Sequence, residues 1–202
     1  MPSAEHQTKH DIRNAARRLF AERGYNAVSM RDIAERIGRH QGGLYNHIPG
    51  KQAILVDLMR ENLTRAHAAG LSVLNTAAPP AERLEGFVRG HVGHNIANPD
   101  DIFIAYMELR SLEPEGAETV KAQRDAYENG LRAILSDGQK SGRFAIIDAA
   151  IHARTILAML AGVTVWYRES GGQSPAEITE CYVLAVLQSV GVPYLATHAA
   201  KG

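Results

Sequence analysis

An all-α fold of about nine helices is predicted by three features of the chain. Apolar residues recur at i, i+3, i+4 and i+7 in segment after segment, the spacing that gathers them on one side of a 3.6-residue helix. Start and stop signals separate those segments: Ser29, Asp148 and Ser174 stand where caps belong, and Gly24, Gly38 and Gly142 where helices should end. Residues 29–51, SMRDIAERIGRHQGGLYNHIPGK, compress the pattern into two short helices joined by a tight turn, a helix-turn-helix arrangement.

The chain has 202 residues, of which 45% are hydrophobic, so it can bury a substantial core, and its length suits a small domain fused to a larger one. The division is expected at 1–51 and 52–202. Formal net charge is zero, but residues 1–51 hold nine Lys or Arg against five acids, net +4, leaving −4 for the remainder. A basic head on an acidic body is the asymmetry expected when one end meets phosphate and the other does not. The single cysteine, Cys181, allows no intrachain disulfide. No uninterrupted apolar run approaches roughly 18 residues, and the start lacks the apolar centre of a signal peptide. The expectation is a cytoplasmic protein with no membrane partner.

Residues 1–7 are polar and expected to fray, after which a helix from Thr8 or a neighbour carries Ile12, Ala15, Ala16, Leu19 and Phe20 on one side and stops at Gly24. Arg13, Arg17 and Arg18 lie off that stripe and are expected to be solvated or to face a DNA backbone. Met30, Ile33, Ala34 and Ile37 form the apolar stripe of the next helix. Ser29 caps it, and Asp32 suits its positive end. Gly38 needs the left-handed backbone that ends a helix. A second helix over 41–48 then turns Leu44 and Ile48 inward to join Ile12, Leu19, Phe20, Ile33 and Ile37 in a core. Gln41, Gly42, Tyr45, Asn46 and His47 are left on or near its outer side, before Pro49 and Gly50 stop it. Gln and Asn suit adenine edges, and Tyr or Lys can reach phosphate oxygens. Base or phosphate contacts are therefore expected from Gln41, Gly43, Tyr45, Asn46 and His47, with Arg31, Arg39 and Lys51 positioning the backbone.

The order Lys9, Ile12, Ala15-Ala16, Leu19-Phe20, Gly24-Tyr25, Val28-Ser29, Asp32-Ile33-Ala34, Gly38, Leu44-Tyr45, His47 and Lys51 closely resembles the N-terminal domain of the tetracycline-repressor (TetR) family of bacterial transcription regulators. Three positions depart from the family pattern. His40 replaces the small hydroxyl residue that usually caps the reading helix, Gly42-Gly43 lowers its helix propensity by roughly 1 kcal/mol per glycine, and Ile48 replaces a Phe. The resemblance implies a ligand-responsive repressor that binds a palindromic double-stranded DNA operator as a homodimer.

Lys51 opens a helix with Ile54, Leu55, Leu58, Met59 and Leu63 that is expected to reach about Leu74, where the Pro79-Pro80 break follows. The resemblance implies that this helix transmits the ligand signal. Over 81–98 the stripe Leu84, Phe87, Val88, His91, Val92, Ile96 is interrupted by Gly86, Gly90 and Gly93, which calls for close helix approach or room for a ligand. His91 and His94 lack a carboxylate or Cys at metal-ligand spacing, so they read as pocket or core histidines, and no metal or other cofactor is expected. A short helix over 100–112 and a long one over 115–141 follow, the latter closed by Gly142. Asp148 caps the next, apolar or small around much of its circumference as far as Trp166. The SPAE run at 174–177 starts the last.

The last two helices have more apolar surface than one monomer can easily cover, and Ile156, Val163, Tyr182, Ala185 and Val186 are expected at a subunit interface. The same pattern also fits a monomer's own core. In the family resembled, these two helices pair with their two-fold mates as a four-helix bundle.

A largely apolar effector pocket is expected from Phe87, His91, Phe103, Tyr106, Met107, Arg110, Tyr127, Met159 and Trp166. The segments ELRSLEPE (108–115) and WYRESGGQSPAEI (166–178) resemble those of family members that sense acyl-CoA thioesters. Arg89, Arg110, Arg124 or Arg154 would then serve the CoA phosphates. Competing readings are an efflux-type regulator sensing a planar hydrophobic compound and a non-catalytic helical adaptor. An enzyme is disfavoured: there is no nucleophile elbow, phosphate loop or metal signature, and Cys181 is expected inside a packed helix.

Overall fold

The computed structural model describes residues 4–74 and 76–193. Among them are ten α-helical segments and one 3-10 turn, with no strand. They are α1 (Ala4–Arg23), α2 (Met30–Arg36), α3 (Gln41–Leu44), α4 (Lys51–Gly70) and α5 (Pro80–Ala97), then α6 (Pro99–Met107), the 3-10 turn Leu109–Ser111, α7 (Pro114–Lys140), α8 (Ala149–Ala161), α9 (Val163–Trp166) and α10 (Pro175–Ser189). α9 is a single turn that follows α8 after a step at Gly162.

Side-chain caps set three of the helix starts. Ser29 and Ser174 each form a reciprocal capping box with the residue three positions on, Asp32 and Glu177. The Asp148 carboxylate accepts from the backbone N–H groups of Ala150 and Ile151, and those bonds hold it below the usual carboxylate range. Gly38 adopts φ +64°, the left-handed turn that only glycine takes cheaply. Several boundaries differ from expectation, among them the end of the helix expected over 100–112, which stops at Met107 before a 3-10 turn. α1 starts at Ala4 rather than Thr8, supported by a Lys9–Glu5 pair at 2.9 Å and a Gln7–Asp11 hydrogen bond one turn apart; residues 1–3 lie outside the described residues. α4 ends at Gly70 rather than near Leu74. The reading helix is helical only over Gln41–Leu44 and continues as turn, as suits a segment with Gly42-Gly43 inside it and no side-chain bond from its cap, His40.

Packing divides the chain into two units, residues 1–63 with 98–123, and residues 64–97 with 124–202. The expected cut at 51/52 is therefore not a cut in packing. Ile54, Leu55, Leu58 and Met59 of α4, Ile104 of α6 and Val120 of α7 all share the core of Ile12, Leu19, Phe20, Ile33 and Leu44. In that first unit the Arg17 Nε donates to Asp101 at 2.6 Å, and Arg13 pairs with Glu61. Neither arginine is the solvated or DNA-facing side chain expected from its place off the apolar stripe. Each sits opposite a carboxylate that α6 or α4 brings to α1.

The second unit has its own core, in which Leu84, Phe87 and Val88 of α5 pack with Leu131, Ile134 and Leu135 of α7, Ile156 and Leu160 of α8, Val163 of α9 and Val186 of α10. Gly90 explains part of the glycine content of α5, since a Cβ there would lie 2.0 Å from the Ala69 carbonyl oxygen. A Cβ at Gly93 would meet nothing within 4 Å. One glycine admits a neighbouring backbone; the other only weakens its helix. Gly90→Ala should therefore cost on the order of 3 kcal/mol by overpacking, whereas Gly93→Ala should gain up to about 1 kcal/mol from helix propensity. Urea unfolding of the two variants checks the opposite signs.

Candidate nucleic-acid interface and the polar core of the second unit

The short α3 is built from two anchors and an outer face. Leu44 is fully buried and Ile48 is 5% exposed, whereas Gln41, Gly42, Gly43, Tyr45 and Asn46 are exposed. Gln41 Nε2 lies 3.4 Å from the Tyr45 hydroxyl, so the two polar groups stand side by side on the outer face. A Cβ at Gly42 or Gly43 would meet nothing within 4 Å, leaving the backbone of this turn open to close approach from outside. His47 differs from the outward position expected of it: it is half-buried, and its Nδ1 is shut off from solvent without a partner. Arg31 is exposed and paired with Glu35 at 2.7 Å; Arg39 is exposed and donates to the Thr8 hydroxyl at 3.3 Å.

Lys51 has a different place from the one its charge suggests. Its ammonium donates to the Tyr25 carbonyl at 2.9 Å and the Val28 carbonyl at 2.7 Å, and it lies 4.0 Å from the centre of the Tyr25 ring. Burial lowers its pKa from the ordinary lysine value, an effect opposed by the charges of Glu108 and Asp32. Two of its three donors are thus spent on the loop between α1 and α2. From the other side, the buried Glu108 carboxylate accepts from the Tyr25 backbone N–H at 2.9 Å and from the Ser111 hydroxyl at 2.8 Å.

In the second unit Phe87, His91 and Tyr127 are brought together, with ring centroids 5.3 to 5.9 Å apart. His67 stacks on the far part of this group, 5.0 Å from Tyr127, and the missing side chain of Gly70 makes room for the Tyr127 hydroxyl, which a Cβ there would meet at 2.5 Å. That hydroxyl lies 2.8 Å from His91 Nδ1. Burial, and secondarily the charge of His94, pushes the His91 pKa down to about 4, so the ring is neutral at neutral pH. His91 Nε2 and, one turn further along α5, Asn95 Nδ2 are both shut off from solvent without a hydrogen-bond partner. Each such atom forfeits about 1–3 kcal/mol of solvation. Sequence reading missed His67, Gly70 and Asn95. A polar signal was present for Asn95, which continues the Phe87–His91 spacing of four residues.

The remaining expected pocket residues do not join this group. Phe103, Tyr106, Met107 and Arg110 belong to the first unit and are exposed, because α6 turns Ile102, Ile104 and Ala105 inward instead. Met159 is half-buried, and Trp166 is 48% exposed with its indole N–H 3.3 Å from the Tyr182 hydroxyl. Two of the cations considered for a CoA are already matched: Arg89 bonds both Glu85 and Glu180, which raises its pKa, and Arg154 bonds Glu128.

Three of the five expected interface residues are also corrected. Ile156, Val163 and Val186 are at most 1% exposed because they point into the unit's own core. The accessible side of α8 and α9 carries Ile151, Thr155, Ala158, Val165 and Trp166, while that of α10 carries Cys181 and Ala185; Tyr182 is half-buried. The Trp166–Tyr182 contact makes these faces neighbours. Cys181 is exposed, not packed inside its helix. No group of three or more His, Cys, Asp or Glu able to hold a metal occurs among the described residues.

Comparison with known proteins places these two units in a known context. Residues 12–58 match the family described as bacterial regulatory proteins, tetR family, and residues 77–190 match the tetracyclin repressor-like C-terminal domain. The chain is 26% identical over 195 residues to the HTH-type transcriptional repressor KstR2 of Mycolicibacterium smegmatis, covering 94% of this chain and 93% of that one. Among solved structures it is similar to the TetR family regulator PfmR of Thermus thermophilus, with 32% identity, a TM-score of 0.81, and 89% and 98% of the two chains covered. AibR, solved in complex with isovaleryl coenzyme A and operator DNA, gives 25% identity and a TM-score of 0.80 over 92% and 99% of the chains. The reading turn, the anchored loop behind it and matches across both parts of the chain lead to one conclusion: the protein belongs to the TetR family of bacterial transcription regulators.

Proposed function

We propose that this regulator is a cytoplasmic repressor that binds a palindromic operator as a homodimer and is released from it by a small acyl thioester. The observation that carries the DNA half is the split character of residues 41–48: Leu44 and Ile48 are buried, while Gln41, Tyr45 and Asn46 are free to meet base edges and phosphates. Arg31 and Arg39 flank them for the backbone. A functional division near 51/52 and a packing division near 63/64 are compatible, because the base of α4 supports the reader without itself touching DNA.

One such reader spans only a few base pairs. Two of them, about 34–36 Å apart on a two-fold dimer, would read a palindrome. The exposed side chains Ile151, Ala158, Val165 and Trp166, with Ala185 of α10, support this pairing, since they are apolar and the Trp166–Tyr182 contact sets α9 beside α10. An acyl thioester is supported by AibR, which binds isovaleryl coenzyme A, and by the aromatic, largely apolar surroundings of His91. The effector would act by preferring a conformation in which the two readers no longer fit successive major grooves, and it could weaken DNA binding only as far as that preference goes.

Gel-shift on the gene's own upstream region tests the whole: salt-sensitive, sequence-specific binding abolished by isovaleryl coenzyme A is expected, and binding without sequence preference would favour the adaptor reading instead. Tyr45→Ala should weaken operator binding about tenfold, or ~1.4 kcal/mol, with an unchanged melting temperature; unaltered affinity would refute the role of its hydroxyl. Val165→Arg should convert the dimer to a folded monomer and cost operator affinity at least a hundredfold. A dimer of normal mass by light scattering would move the interface elsewhere.

A further inference from the structure

We propose that His91 and Asn95 form a two-donor anchor for a neutral carbonyl oxygen of the effector. The inference rests on the reading of the second unit as the effector-binding part and names the chemical group recognised there.

Both side chains are buried, 5% and 3% exposed, yet His91 Nε2 and Asn95 Nδ2 have no partner. Their spacing of four residues on α5 puts them on the same side of the helix, with Cβ atoms roughly 6 Å apart. That is a separation two side chains can bridge by converging on one acceptor. An amide Nδ2 only donates. In the tautomer that carries the ring's one proton on Nε2, the Tyr127 hydroxyl, 2.8 Å from His91 Nδ1, donates to that nitrogen, and both unpartnered atoms are then donors.

Two donors match the two lone pairs of a carbonyl oxygen. The absence of a formal charge on either side chain sets the class: a thioester, amide or ketone is satisfied by them, whereas a free carboxylate would be buried without a counter-charge. Phe87 and Tyr127, packed on His91, make the surroundings of that carbonyl aromatic and largely apolar. Phe87, His91 and Asn95 thus form one line along α5, apolar at one end and hydrogen-bonding over the rest.

Two measurements test this separately from the acyl-thioester reading. Asn95→Leu, a near-isosteric exchange, removes an unpartnered buried donor, so the ligand-free protein should melt a few degrees higher with operator binding retained; a lower melting temperature would show that the amide serves the fold, and would overturn the anchor. By calorimetry, isovaleryl coenzyme A should bind the wild-type protein at least tenfold more tightly than the thioether S-(3-methylbutyl)-coenzyme A, which lacks the carbonyl, and Asn95→Leu should erase the difference. Equal affinities for the two would overturn the anchor while leaving a coenzyme A ligand in place. If neither binds, the acyl-thioester reading falls, and the melting comparison alone decides the anchor.

Discussion

The first unit hangs on one ammonium group. The loop joining α1 to α2 has no regular ladder to occupy its backbone; its one internal bond, Val28 N–H to the Tyr25 carbonyl at 3.2 Å, leaves the Val28 carbonyl to find a donor elsewhere. Lys51 supplies it, and donates to the Tyr25 carbonyl as well. Because Lys51 is the first residue of α4 and follows directly on the reading turn, the same bonds fix where that turn leaves the domain. Glu108 completes the arrangement by accepting the Tyr25 N–H, so the loop is held by an anion and a cation whose charges also favour one another. Glu108 is buried, and Lys51 is partly so with two of its donors already committed. A charge spent in this way stabilises a shape, and the outer face of residues 41–46 inherits its position from it.

The second unit uses polarity in the opposite manner. Its core is mostly Leu, Ile and Val, but α5 carries two histidines and an asparagine into it. The Tyr127 hydroxyl satisfies one ring nitrogen of His91, and Gly70 gives that hydroxyl the space it needs. What is left over, at Nε2 and at the Asn95 amide, is a cost that apolar side chains of similar size would not incur. Arg89 shows the contrasting case, a cation half in the open whose two carboxylates leave it no vacancy.

Much of this was legible in the residues. Ser29, Asp148 and Ser174 cap helices because a hydroxyl or carboxylate at those places has an orphan N–H to accept from, a strictly local matter. The core of Ile12, Leu19, Phe20, Ile33 and Leu44 follows from spacing alone. Periodicity fails where both sides of a helix are apolar: on α8 and α10 it could not say whether Ile156 and Val186 or Ile151 and Ala185 turn inward, since partner choice is long-range. It fails again for α6, whose aromatic residues looked like a pocket wall but are the exposed side of a helix packed through Ile102 and Ile104. Lys51 is the third case. A basic residue beside a reading motif suggests phosphate, and only the fold reveals the two carbonyls within its reach.

The brevity of α3 has an evolutionary consequence. With one turn of helix, glycines at 42 and 43 that no neighbour requires, and only Leu44 and Ile48 rooted in the core, the outward positions contribute almost nothing to holding the domain together. Substitutions there are nearly neutral for folding. With the DNA contacts proposed above at 41, 43, 45 and 46, a lineage could exchange one target sequence for another through single changes there without first acquiring a stabilising mutation elsewhere, and duplicated copies of such a gene would diverge in the promoters they occupy long before they diverge in fold.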